Sequence, residues 1–141
     1  KHSINKTLIK NKSLILIDDS LVRGTTSIKI IKMLYEAGAK EVHLKIASPP
    51  IKYPDYYGID TPDINELLAS KLDVKGIQKF INAKTLQFLS IDGLYKSMGY
   101  KKRNPTFPQF ADHCFTGDYP VKPYDINDKS LSKNKLSFMS T

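Results

Sequence analysis

An α/β fold, a parallel sheet flanked by helices, is predicted by three features of this 141-residue chain. A continuous apolar run, Leu14 to Ile17, ends in two adjacent acids and a short loop rich in hydroxyls and glycine. Apolar residues at helical spacing follow, at Ile28, Ile31, Leu34 and Tyr35. Val42, Leu44 and Ile46 then alternate with polar residues, as in a strand. Strand, helix and strand in that order make a parallel crossover, right-handed by default.

Each element has its own reason. Residues 3–11 alternate weakly and suit a short helix or an approach segment. Residues 13–18 are the first strand, and its unbroken apolar run is expected of a strand buried on both faces of a parallel sheet. A helix is expected over 26–37, stopped by Gly38 and capped by one of Thr25, Thr26 or Ser27. Glu41 to Ala47 is the second strand. The segment 49–62 must be irregular, because Pro49, Pro50, Pro54 and Pro62 fit neither a helix interior nor a central strand. Asp63 begins a helix that runs to about Ser70. Another covers 73–82, with Val74, Ile77 and Ile81 on one face. Leu86 to Ser90 is a short strand and 92–98 a last helix. From about Tyr100 the chain is basic, Pro-rich and irregular, and residues 126–141 are expected to be a disordered tail. His2 and His43 are expected at the surface.

The chemistry lies where the first strand meets the first long helix. In open α/β sheets ligands sit outside the carboxyl ends of strands, and Asp18 and Asp19 fall there. Two adjacent carboxylates repel, so a site that keeps them needs a cation, donors or solvent. Ribose hydroxyls meet that need, and so does Mg²⁺, which prefers oxygen ligands. Gly24 permits a turn or close approach that a side chain would block. Thr25, Thr26 and Ser27 place hydroxyls at a helix N-terminus, where the dipole favours a phosphate. Alone, an acid pair is usually a solvated turn and a Gly-Thr-Thr usually a cap. Joined within 13 residues, they point to a sugar phosphate.

The run Asp18-Asp19-Ser20-Leu21-Val22-Arg23-Gly24-Thr25-Thr26 resembles the phosphoribosyl pyrophosphate (PRPP) signature of type I phosphoribosyltransferases. Its form is similar to that of one branch, the amidophosphoribosyltransferases (glutamine PRPP amidotransferases). Ile46 to Pro54, Tyr57 to Pro62, Leu89 to Leu94 and Cys114 to Pro120 resemble the same family, in the same order. The resemblance implies a truncated type I phosphoribosyltransferase, a Rossmann-like parallel sheet with flanking helices and an irregular C-terminal tail. Residues 1–125 would be the C-terminal part of that domain. The family's N-terminal glutaminase domain and its pyrophosphate loop have no counterpart here. The chain is therefore expected to be a fragment, a partial gene product or one piece of a split protein, inactive by itself.

Roles follow from the resemblance residue by residue. Asp18 and Asp19 match the acids that bind the ribose 2′- and 3′-hydroxyls and help to place Mg²⁺. Ser20, Arg23, Gly24, Thr25, Thr26 and Ser27 match the loop that cradles the 5′-phosphate. Arg23 could equally pair with a neighbouring acid. The family reaction displaces pyrophosphate from ribose C1 by ammonia, which the glutaminase domain releases from glutamine. It yields 5-phosphoribosylamine, the first step of de novo purine nucleotide biosynthesis. No residue of this chain is expected to act as a catalytic nucleophile. The resemblance also implies a homo-oligomer. A PRPP-sensing regulatory module without catalysis is the alternative.

Some family members hold an iron–sulfur cluster through four cysteines. This chain has one, Cys114, and Ala111 and Asp55 stand at two further ligand positions. One thiol cannot hold a four-iron cluster, so no iron–sulfur cluster is expected. Cys114 reads as a small buried residue. Asp112, His113 and Cys114 are too close together to make a zinc site by themselves.

Composition narrows the remaining classes. Hydrophobic residues make up 40% of the chain, enough for a core. No apolar stretch approaches the ~18 residues of a membrane span, and no signal peptide is visible, so a cytoplasmic location away from membranes is expected. The net charge is +8, but residues 1–12 carry four Lys and no acid, while residues 13–100 carry 11 basic and 10 acidic residues. The excess sits at the ends, where a nucleic-acid-binding face would be a stripe on a folded element. No nucleic-acid partner is expected.

Overall fold

The computed structural model describes residues 5–59, 61 and 63–121. Three parallel strands, β1 (Ser13–Asp18), β2 (Glu41–Ile46) and β3 (Thr85–Phe88), lie in the order β1-β2-β3. The helices are α1 (Lys6–Ile9), α2 (Thr25–Glu36), α3 (Leu68–Lys71), α4 (Val74–Phe80), α5 (Ile91–Ser97) and α6 (His113–Thr116). The expected tail at 126–141 and His2 lie outside the described residues.

Register explains the core. Leu14 pairs with Val42, Leu16 with Leu44, Asp18 with Ile46, and Leu44 in turn with Leu86. Alternation puts these side chains on one face. Ile31 of α2 and Ile77 of α4, with Ile81 just beyond it, pack against that face and are almost wholly buried.

The opposite face corrects one expectation. Ile15 and Ile17 are 68% and 73% exposed, so β1 is buried on one face only. The core cluster of the described residues gathers on the Leu14 side, and β1 has β2 as its one neighbour. An unbroken apolar run therefore did not mean two covered faces. His43, on the exposed side, is half-buried, with its Nδ1 2.9 Å from the Thr85 hydroxyl.

The helix expected from Asp63 is broken in two. Asp63 caps only a 3₁₀ turn, Ile64–Glu66, by accepting from the Asn65 N–H at 2.8 Å. Leu67 is extended, at φ −74° and ψ 114°, and its side chain is fully buried. The Leu68 N–H then donates to the Val22 carbonyl at 2.9 Å, which ties this segment to the loop after β1. Burial of Leu67 outweighs local helix propensity here. In α4, Asp73 caps as expected, accepting from the Gly76 N–H at 2.7 Å. Val74 is 41% exposed, however, because the first turn of α4 lies outside the core.

Residues 100–121 are irregular apart from α6, which the sequence pattern did not reveal. Polar contacts hold this stretch. The Asp112 carboxylate accepts from Arg103 Nε at 2.5 Å, Arg103 Nη2 at 3.1 Å and the Tyr95 hydroxyl at 2.8 Å. Arg103 also reaches Asp118 at 2.6 Å. Burial by itself would raise the Asp112 carboxyl, but Arg103, Tyr95 and Thr116 hold it below its ordinary range. Tyr95 is buried under Phe110, with ring centroids 5.5 Å apart at a steep angle.

Candidate functional site

The carboxyl end of β1, the loop after it and the first turn of α2 enclose a crevice of about 430 Å³. Asp18, Asp19, Ser20, Arg23, Gly24, Thr25, Thr26 and Ser27 all line it. The strand delivers the acids, the loop turns at Gly24, and the helix starts at Thr25.

The two acids are oriented but carry no neutralising partner. Asp18 Oδ1 accepts from the Asp19 N–H at 3.1 Å, and Asp19 Oδ1 accepts from the Ser20 hydroxyl at 3.2 Å. Among the described residues neither forms an ion pair. Two hard oxygen donors facing an open crevice without a cation suit Mg²⁺.

The loop is a set of donors in waiting. The backbone N–H groups from Leu21 to Ser27 donate to no acceptor among the described residues. The Ile28 N–H is the first to enter the helical ladder, donating to the Gly24 carbonyl at 2.9 Å. Gly24 itself occupies the N-cap position, at φ 75°, with no side-chain cap bond. The expectation of a hydroxyl cap is thus corrected: Thr25, Thr26 and Ser27 already lie inside the helix, one, two and three positions past the cap. A row of unpaired N–H groups at a helix start is a cradle for an anion. Thr25 and Thr26 are exposed to the crevice side, whereas Ser27 is buried.

Gly24 is required twice over. Its φ lies where a side chain is strained, and an added Cβ would sit 2.9 Å from Leu68 Cδ2. Gly24→Ala is expected to cost about 1–2 kcal/mol from backbone strain, and more if Leu68 cannot shift. Urea denaturation should show a lower midpoint with an unchanged slope. An unaltered midpoint would contradict the tight packing of this turn.

Arg23 lines the crevice and also has an acidic partner. Its guanidinium pairs with Glu66 of the 3₁₀ turn, Nε to Oε2 being 2.9 Å. Both side chains are about half exposed, so the pair contributes little stability.

A second constellation lies away from the crevice. Asp55, His113 and Cys114 bring one ligand atom each within 4.8 Å of one another and could coordinate a metal ion. His113 Nε2 is 2.6 Å from Asp55 Oδ2, and both side chains are almost fully buried. Burial opposes the Asp55 charge, yet the Ile59 and Tyr57 N–H groups and His113 hold its carboxyl below the usual range. Cys114 is half-buried, not fully buried as expected, and burial pushes its thiol up. The sequence signal was the run Asp-His-Cys at 112–114. Its partner Asp55 stands 58 residues before His113, so spacing alone could not supply it.

No helix among the described residues is long and apolar enough to cross a membrane. No protein-family model matches the chain. Curated relatives do. The chain is 54% identical over 142 aligned residues to the amidophosphoribosyltransferase of Rhizobium etli, covering 100% of this chain and 28% of that protein. It is 48% identical to the amidophosphoribosyltransferase of Bacillus subtilis, over 88% of this chain and 26% of that protein. Among solved structures, the B. subtilis glutamine PRPP amidotransferase complexed with ADP and GMP superposes with a TM-score of 0.77 at 47% identity, covering 86% of this chain and 26% of that one. The chain thus spans about a quarter of the length of the relatives it matches.

Proposed function

We propose, on the premise that this chain is homologous to the amidophosphoribosyltransferases along nearly its whole length, that the crevice after β1 binds PRPP. The fold is that of a type I phosphoribosyltransferase: a parallel sheet with flanking helices. In this reading residues 1–125 are the C-terminal part of such a domain. The whole protein makes 5-phosphoribosylamine from PRPP and glutamine-derived ammonia, the entry to purine nucleotide biosynthesis, in the cytoplasm and as a homo-oligomer. Ammonia comes from a glutaminase domain outside this chain.

The residues divide the work by charge. Asp18 and Asp19 accept hydrogen bonds from the ribose 2′- and 3′-hydroxyls. The N–H groups from Leu21 to Ser27, with the Ser20, Thr25 and Thr26 hydroxyls, hold the 5′-phosphate. Gly24 lets the backbone approach it. Displacement at ribose C1 passes through a transition state with oxocarbenium character, as in other glycosyl transfers. Carboxylates fixed beneath the ring favour that developing positive charge. The same two acids would hold Mg²⁺, which when bound neutralises charge on the departing pyrophosphate. No side chain of the crevice is asked to form a covalent bond.

One observation carries the reading. Two carboxylates without a cation and a row of N–H groups without acceptors line the same crevice. Calorimetric titration of the polypeptide that the gene encodes, with PRPP and Mg²⁺, should show saturable binding that disappears on adding a chelator. Heat changes no larger than dilution would refute it. Saturable binding without ammonia-dependent release of pyrophosphate would favour the PRPP-sensing alternative.

A further inference from the structure

We propose that Glu66 is a positioning residue for the PRPP crevice, acting through Arg23 to keep the phosphate loop in the shape that presents its N–H groups. The inference rests on the assignment of the crevice to PRPP and adds to it a residue from another segment of the chain.

Three consecutive loop residues are held by one short segment. The Val22 carbonyl accepts from the Leu68 N–H at 2.9 Å. The Arg23 guanidinium donates to Glu66, with Nε 2.9 Å from Oε2 and Nη2 on the same oxygen. Gly24 lies against Leu68, whose Cδ2 would stand 2.9 Å from a Cβ at that position. Val22, Arg23 and Gly24 all line the crevice.

The brace has its own foundation. Asp63 caps the 3₁₀ turn Ile64–Glu66, and the Leu67 N–H closes it on the Ile64 carbonyl at 3.3 Å. The Ser70 hydroxyl lies 2.7 Å from both the Ile64 and the Leu67 carbonyl. Leu67 itself is fully buried. Glu66 is thus carried on a turn that is capped at one end and anchored in the interior at the other.

Stability is not what the ion pair supplies. Its side chains are 53% and 52% exposed, and a pair so open to solvent contributes little to the folded state. Its effect falls on the shape of the loop. The N–H groups from Leu21 to Ser27 find no acceptor among the described residues, so no hydrogen bond of their own keeps those amides in a row. Gly24, at φ 75°, is the residue of the loop with the freest backbone. The loop is therefore held from outside, by its Val22 carbonyl and its Arg23 side chain. Two N–H groups on one carboxylate oxygen fix the guanidinium more firmly than a single contact would. Glu66 does bring a negative charge toward an anion site, but Arg23 neutralises it at contact and solvent screens the remainder.

The 5′-phosphate is unchanged by the reaction, so holding it less well removes binding equally from substrate and transition state. In the polypeptide that the gene encodes, with ammonia as the nucleophile, Glu66→Gln should raise the KM for PRPP by about 2- to 5-fold, the factor an exposed pair converts to. It should leave kcat and the urea midpoint unchanged. The calorimetric Kd for PRPP with Mg²⁺ should rise with KM. In an Arg23→Gln background the same substitution should add nothing, because its partner is gone. Glu41→Gln breaks another solvent-open pair, with Lys84 at the amino end of β2, and should leave KM alone. An unchanged Kd in Glu66→Gln overturns the proposal. So does a lower one, which would mean that Glu66 withholds Arg23 from the ligand. A further loss in the Arg23→Gln background overturns it as well, since Glu66 would then act without Arg23. All three outcomes leave PRPP bound to the wild-type protein and the crevice reading intact; a wild-type protein that binds no PRPP overturns both.

Discussion

Replacing Asp18 or Asp19 by Asn is expected to weaken Mg²⁺-dependent PRPP binding by about 10- to 100-fold each. The estimate follows from the ~1.5–3 kcal/mol carried by a hydrogen bond to a charged group. Asparagine keeps the shape and loses the charge. The double variant should lose most of the dependence on Mg²⁺, because among the described residues no other carboxylate lines the crevice. Stability should change little, since neither acid is buried and neither holds an ion pair among the described residues. Calorimetry with and without Mg²⁺, beside a urea titration, separates the two effects. Binding that persists at wild-type affinity in the double variant would move the substrate elsewhere.

Asp112→Ala should produce the largest loss of stability. Its carboxylate is 4% exposed and receives Arg103, Tyr95 and the Thr116 hydroxyl. Alanine would leave the Arg103 guanidinium, 11% exposed, with Asp118 alone, and would orphan the buried Tyr95 hydroxyl. Removing one partner of a buried pair costs about 3–5 kcal/mol. For a domain of this size that is a fall in Tm of about 10 °C or more. Thermal denaturation followed by circular dichroism measures it. A fall of only a degree or two would mean that residues 100–121 contribute little to the folded state.

The site was legible because it is local. Strand, acids, glycine and helix follow one another from Leu14 to Ser27, and the crevice is built from that single stretch. The core was legible where periodicity was clean, as at Val42, Leu44 and Ile46. What escaped the sequence depends on partners distant along the chain. Leu67 breaks a helix because the core receives it. Arg23 turns to Glu66, 43 residues away, and α6 exists where His113 meets Asp55. The exposed flank of β1 could not be read from composition, since Ile15 and Ile17 look the same in a covered strand as in a bare one.

That flank has a practical consequence. β1 is bonded to β2 alone, so its outer row of amides and carbonyls is free among the described residues, beside two large aliphatic side chains in the open. Such a border is a template onto which a strand of another molecule can add. The 141-residue chain handled by itself should therefore self-associate as its concentration rises, and added polypeptide that roofs Ile15 and Ile17 should keep it dispersed.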